Sequence, residues 1–231
     1  MNAIIHSLKQ RRLLWQGRQQ ESLGTLSETG YATLDEYLQG GFPEQGVIQV
    51  FSDIGVGEVR LFCPFLHQRY QRQRGLLVFI GLPYQLHAEF WQEQGFDLQD
   101  ILVIAPKKPE DVAWAAEQCL HSGCCDMLLL WPEKLTYAQG RRLQLAAVAA
   151  GASLLMFRPI DTYQQWQGMP VELSLAIRPS TSGIELEVLK MKGPFPRIPH
   201  TLHWQRQWPH LVMPTSSSLA NDNVLAFPRV S

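Results

Sequence analysis

From about residue 46 the chain alternates short apolar runs with longer segments whose apolar residues recur at helical spacing. The runs are 47–52, 76–80, 101–104, 126–131 and 154–157. Such runs, bounded by turn residues, mark strands buried on both faces. Between them, 58–74, 85–94, 109–121 and 137–149 read as helices. Leu61, Phe65, Leu66 and Tyr70 share a face of the first, which Gly75 ends. Val112, Ala115, Ala116, Cys119 and Leu120 share a face of the third, and Glu110 and Asp111 suit the positive end of its dipole. This alternation predicts an α/β fold: a mostly parallel, doubly wound sheet flanked by helices.

Outside that block the pattern changes. Residues 172–178 and 184–189 alternate with period two around a turn from Pro179 to Gly183, which predicts an antiparallel hairpin appended to the sheet. Residues 3–14 read as an amphipathic helix and 21–28 as a polar linker. Thr29 or Thr33 is placed to cap a short helix reaching Leu38. Prolines at 194, 196, 199, 209, 214 and 228, with Ser216, Ser217 and Ser218, predict irregular chain from about Pro214. The expected division is a basic amphipathic segment and linker over 1–28, a domain over 29–195, and a Pro-rich, partly disordered tail over 196–231.

A chain of 231 residues, 45% of them apolar, suits one α/β domain with extensions. No run approaches a membrane span and the N-terminus lacks a signal core, so a cytoplasmic protein away from membranes is expected. The net charge of −1 conceals basic ends. Lys9, Arg11, Arg12 and Arg18 precede any acid, and Arg197, Arg206 and Arg229 face only Asp222 after Gly193. Basic ends favour nucleic acid or an acidic protein face, and equally suit solvated termini. Cys63, Cys119, Cys124 and Cys125 have no Cys-x-x-Cys spacing, which predicts reduced thiols and no metal site.

The first apolar run leads into Ser52-Asp53-Ile54-Gly55-Val56-Gly57-Glu58-Val59 and then a helix. Strand, glycine loop and helix start form the layout of a phosphate-binding loop, which needs Gly-Lys-Ser/Thr at its end. Here Gly57 is followed by Glu58 and Val59. A carboxylate replaces the cation that reaches phosphate, and valine replaces the hydroxyl that holds Mg²⁺. The loop is expected to be degenerate, with no nucleotide cofactor. Gly55 and Gly57 either offer amides to an anion or simply serve a tight turn.

The order of parts resembles the RecA core. Thr29-Gly30-Tyr31 with Leu34-Asp35, and Gly40-Gly41-Phe42-Pro43 with Gly46, look like that family's opening segment. The loop at 52–59 falls at its phosphate loop. Leu186-Glu187-Val188-Leu189-Lys190-Met191-Lys192-Gly193-Pro194-Phe195 resembles its late hairpin strand. The resemblance covers about 29–195 and implies a RecA-like core. It places Gly81-Leu82-Pro83 where the family holds a water-activating glutamate, and Trp131-Pro132 where it holds a metal-organising acid. The set is hard to reconcile with ATP hydrolysis, so no enzyme is expected.

Two RecA-like families lack the ATPase in this way. The segment from Trp131 to Thr136 and on through Leu155-Met156-Phe157-Arg158-Pro159 looks like SulA, a cell-division inhibitor. Leu14-Trp15-Gln16-Gly17-Arg18, the Thr29-Gly30-Tyr31 opening and the 172–195 hairpin are similar to the ImuA family, which this reading prefers. That resemblance implies an SOS-induced accessory of translesion DNA synthesis. Its implied partners are RecA, an inactive Y-family polymerase-like protein and an error-prone replicative-type polymerase; direct contact with DNA stays open, and an indirect one is preferred. The alternatives are a SulA-like inhibitor binding a tubulin-like division protein, and a residual nucleotide-dependent DNA-repair ATPase.

Several residues are candidates for partner contact. Lys190 and Lys192 alternate on a strand and so share a face; they either meet a partner or stand solvated on an edge strand. Trp204 and Trp208, spaced i, i+4, either stack on single-stranded bases or pack on the domain. Arg141 and Arg142 read as a solvated helix face. In the tail, Leu225, Phe227 and Arg229 form an apolar and basic cluster after a Ser-rich tether. Such a segment suits a docking peptide or folds back onto the domain.

Overall fold

The structure is a computed structural model that describes residues 25–193, 195–204 and 208. The strands are β1 (Leu26–Ser27), β2 (Phe42–Pro43), β3 (Gly46–Phe51), β4 (Leu76–Ile80), β5 (Ile101–Ile104), β6 (Cys125–Leu130), β7 (Ser153–Arg158), β8 (Leu173–Ser180), β9 (Gly183–Met191) and β10 (His200–His203). The helices are α1 (Ala32–Tyr37), α2 (Cys63–Gln73), α3 (Ala88–Glu93), α4 (Asp111–His121), α5 (Tyr137–Ala150) and α6 (Tyr163–Trp166).

Eight strands form one sheet in the order β10-β9-β8-β3-β7-β6-β4-β5. All pairings from β8 to β5 are parallel, while β8–β9 and β9–β10 are antiparallel. The predicted parallel sheet with a late hairpin is therefore what forms. Strand alternation divides the core. Ile48, Val50, Leu77 and Phe79 bury with Phe62, Phe65 and Leu66 on one face. Val47, Phe51, Val78 and Ile80 bury with Val112, Ala116, Leu143 and Ala147 of α4 and α5 on the other. Period two in strands and period 3.6 in helices thus fill both faces of one sheet.

Local chemistry sets the helix bounds. The expected helix 58–74 begins later, as a 3₁₀ turn at Arg60–Phe62 that passes into α2. Pro64 stands in the first turn of α2, where a missing N–H is tolerated, and Arg74 ends the helix with φ +49°. Thr136 opens α5 with a capping box: its hydroxyl accepts from the Gln139 amide at 3.2 Å, and its own amide donates to Gln139 Oε1 at 2.8 Å.

Three expectations at the edges of the domain are corrected. Neither Thr29 nor Thr33 caps α1; Tyr31 holds that position, and Thr29 instead folds a turn in which its hydroxyl accepts from the Tyr31 amide at 3.1 Å. The linker reading of 21–28 misses β1, which pairs antiparallel with β2. The sheet also continues past residue 195, because β10 pairs with β9 in register from His200↔Leu186 to His203↔Gly183. Period two is too weak in His-Thr-Leu-His to mark a strand, and only Leu202 of the four is buried.

At the lower end of the sheet, opposite the loop, Arg69 on α2 is buried against Asp126 at the start of β6. Its Nη2 donates to Asp126 Oδ1 at 2.7 Å and also to the Gly151 carbonyl, and its Nη1 donates to the Glu44 carbonyl at 2.6 Å. One guanidinium therefore ties α2, β6, the end of α5 and the turn into β3.

Candidate functional site

The glycine loop leaves β3 at the carboxyl edge of the parallel strands, where open α/β sheets place ligands. Ser52 is buried at the strand end, and its hydroxyl donates to the Asp53 carbonyl at 2.8 Å. Gly55 and Gly57 have φ of +88° and +98°, a left-handed backbone that glycine adopts at no steric cost. Gly57 is constrained twice, since a Cβ there would stand 3.2 Å from the Trp204 ring. Val59 packs its aliphatic side chain against the core.

Glu58 does not point outward from this loop. It is 4% exposed, and its Oε2 accepts from the Gly55 amide at 3.1 Å. Burial raises its pKa above the ordinary 4.5, opposed by the amides of Glu58 itself, Gly55, Gly57 and Val56, which face the carboxyl. The carboxylate that replaces the phosphate-reaching cation in the sequence thus sits, in the fold, among the loop amides.

Beside the loop lies a cleft of about 780 Å³, lined by Ile54, Glu58, Arg60, Tyr84, Phe90 and Trp91 among others. Its character is aromatic. Ile54 at the rim is 64% exposed. Burial pushes the Tyr84 phenol up, and the nearby Glu58 and Cys63 add to that shift. The Arg60 guanidinium lies 5.3 Å from the Phe90 ring centroid and 5.2 Å from that of Trp208, so its charge is held over two ring faces. Its Nε is buried without a hydrogen-bond partner. Arg60, Tyr84, Phe90 and Trp91 were not visible as a group in the sequence. They come from three separate segments and have no common spacing.

The neighbouring strand ends carry no acid. Gly81 follows β4 with its amide bonded to the Ile104 carbonyl. Trp131 follows β6 and stacks on Phe157 at 4.7 Å and on Phe79 at 6.4 Å. At the end of β7, Arg158 is buried over the Trp166 ring and donates to the Pro132 carbonyl. Desolvation lowers its pKa to about 9.

Trp204 and Trp208 pack on the domain. Both are buried; Trp204 lies edge-on to Tyr31 at 6.3 Å, and Trp208 Nε1 donates to the Tyr31 hydroxyl at 3.4 Å. Burial pushes the Tyr31 phenol up to about 12. The opening segment and the end of the sheet therefore meet directly over the loop. Arg142 pairs with Glu117 on an exposed face and Arg141 bonds Gln144, as a solvated helix surface does. Cys63, Cys119, Cys124 and Cys125 are free thiols. Among the described residues no group of His, Cys, Asp and Glu is arranged to hold a metal.

Lys190 and Lys192 do share a face, as alternation requires, and a bulge decides which face it is. The β8–β9 register slips between Ser174 and Leu175, which leaves Leu189 as an extra residue in β9. Val188 faces α2, and the bulge returns Lys190 to the opposite face. There Lys190 Nζ donates to the Met169 carbonyl at 2.7 Å, and Lys192 Nζ pairs with Glu172 at 2.6 Å. Glu172 also accepts from Gln144 at 3.0 Å. Replacing Lys192 by Glu is expected to cost roughly 1 kcal/mol for this partly exposed pair. The reversed pair, Lys192→Glu with Glu172→Lys, should recover it in urea denaturation; a loss that survives reversal would show that the lysine acts elsewhere. Leu225, Phe227 and Arg229 lie outside the described residues.

No helix among the described residues is long and apolar enough to cross a membrane. No family model matches the chain. Over 102 residues, 44% of its length, the chain is 24% identical to the RecA protein of a Picosynechococcus strain, of which the match covers 29%. Over a segment of the same length it is 26% identical to RecA of a Nostoc strain and 28% identical to RecA of Prochlorococcus marinus, covering 28% and 27% of those chains. The match thus spans less than a third of these relatives. Among solved structures, SulA from Pseudomonas aeruginosa is similar at 24% sequence identity and a TM-score of 0.41, covering 48% of this chain and 97% of that one. With its mostly parallel sheet, flanking helices and antiparallel hairpin, the chain has the layout of a RecA-like core and is similar in sequence to part of RecA.

Proposed function

We propose that this chain is a non-catalytic, RecA-like accessory protein of SOS-induced, error-prone translesion DNA synthesis, of the ImuA kind. The observation that supports it is the end of the glycine loop. On a scaffold similar to part of RecA, a buried acid and a valine stand where phosphoryl transfer needs a cation and a metal-binding hydroxyl. The loop is then a degenerate phosphate loop, and the scaffold serves assembly. One surface holds RecA, and another holds the inactive Y-family polymerase-like protein together with the error-prone replicative-type polymerase. Lys190, Lys192 and the tail cluster of Leu225, Phe227 and Arg229 are the contacts proposed for these partners. DNA is reached through them.

Two measurements test this on the full chain. Calorimetry with ATP and Mg²⁺ is expected to give no heat at roughly millimolar nucleotide, as for any Kd far above that concentration. Immobilised protein is expected to retain purified RecA and the polymerase-like partner. Micromolar ATP affinity with phosphate release would replace the accessory role with a repair ATPase. Retention of a tubulin-like division protein, and of neither proposed partner, would replace it with a SulA-like inhibitor.

A further inference from the structure

Glu58 is a buried acid of an unusual kind. It is 4% exposed, yet among the described residues no lysine or arginine pairs with it. What compensates it is backbone. The Gly55 amide donates to Oε2 at 3.1 Å, and the amides of Val56, Gly57 and Glu58 itself face the same carboxyl. Left-handed backbone at Gly55 and Gly57, on either side of Val56, turns successive N–H groups towards one point. Converging amides of this sort make a concavity that holds oxyanions.

A carboxylate and a phosphoryl group ask the same thing of such a concavity: N–H donors, no acceptors and a site out of bulk water. We infer that the 54–58 loop is an oxyanion nest whose resident is the chain's own Glu58 carboxyl, and that it takes a small oxyanion such as inorganic phosphate once that side chain is shortened. Glu58 does two things here. It excludes an external phosphoryl group by occupying its place and by charge. It also supplies the order that a bound phosphate gives to a loop of this shape, so the start of α2 and the floor of the neighbouring cleft stay built without a ligand. The cleft is lined by Gly55, Gly57 and Glu58, so its shape depends on the same contact.

The inference does not rest on the identity of any partner. It shares with the proposed function only the premise that the natural loop holds no phosphate. ATP binding by the natural chain would end that function, whereas the variants below decide the nest. The test is thermal unfolding of the full chain and of Glu58→Ala and Glu58→Gln. Each is measured in roughly 20 mM inorganic phosphate and in chloride of equal ionic strength, so that only anion binding to the folded state separates the two buffers. Glutamine keeps an oxygen acceptor of the same reach, and its variant is expected to unfold near the natural chain and to ignore phosphate. Alanine leaves the amides unfilled. Its Tm is expected to fall by about 3–10 °C in chloride and to recover in phosphate by more than the natural chain gains. An alanine variant as stable as the natural chain, or one that gains no more from phosphate than the natural chain does, overturns the nest. If it does not fold in chloride, folding in phosphate by circular dichroism supports the nest, and failure in both buffers overturns it.

Discussion

Replacing Asp126 by alanine is expected to cost about 3–5 kcal/mol of folding stability, since removing one partner of a buried ion pair leaves the other charge uncompensated. The side chains of Arg69 and Asp126 are each 9% exposed, so the stranded guanidinium has little water to turn to. It keeps its carbonyl partners at Glu44 and Gly151, which are neutral and do not offset a full charge. Space is tight as well: a Cβ on Gly75 would stand 2.4 Å from that of Asp126, so strand and helix end already touch here. The measurement is the urea midpoint at constant m-value. Changing both partners, Arg69→Met with Asp126→Leu, should recover much of the loss, because an apolar pair of similar volume carries no desolvation cost. A loss below about 1 kcal/mol for the single change would mean that Arg69 finds solvent after all.

Trp204→Ala is expected to be comparably severe, about 3–5 kcal/mol, the range for truncating a buried aromatic residue. Its effect should also be local in a telling way. The Trp204 ring covers Gly57 and meets Tyr31, so its removal takes the lid from the glycine loop and the prop from the opening segment together. Native-state hydrogen exchange should therefore quicken at Gly57, at Leu61, whose amide bonds the Gly57 carbonyl at 3.0 Å, and at Tyr31. Exchange in β6, on the far side of the sheet from β10, should change only with global stability. Uniform acceleration everywhere would show that Trp204 contributes bulk burial and does not specifically hold the loop.

The parallel sheet was legible in the chain because β3, β4, β6 and β7 are largely apolar and buried on both faces, and β5, although Leu102 and Val103 are exposed at the sheet edge, keeps the same apolar run. Leu76–Ile80 and Ile101–Ile104 fall where the apolar runs place them. The late strand His200–His203 was not legible, because its stability comes from pairing with β9 and from the two tryptophans after it, and not from its own composition. The helix start was misplaced for a related reason: residues 58 and 59 keep helical composition, but Glu58 is committed to the loop behind it. The site shows the same division. The residue types at Ser52, Gly55, Gly57, Glu58 and Val59 are plain from the sequence, whereas the inward turn of Glu58 and the gathering of Arg60, Tyr84, Phe90 and Trp91 around one cleft depend on tertiary placement. Lys190 and Lys192 share one face by simple alternation, but which side of the sheet that is depends on the bulge at Leu189.

That bulge acts as a frame shift in the pleat. Upstream of Leu189, the even-numbered residues Ile184, Leu186 and Val188 are buried against the α2 side, and downstream the even-numbered Lys190 and Lys192 stand on the other. A strand that kept Leu189 in regular alternation, without the bulge, would point the same two lysines into an apolar core or else lose the pairing of β9 with β8. The polarity of the whole distal end of the hairpin is thus written in the register of the strand, not in its composition alone. A relative with the same lysines and one residue fewer would present its charge to the same side of the sheet through an unbroken ladder, whereas one that kept the residue without the bulge would present it to the opposite side.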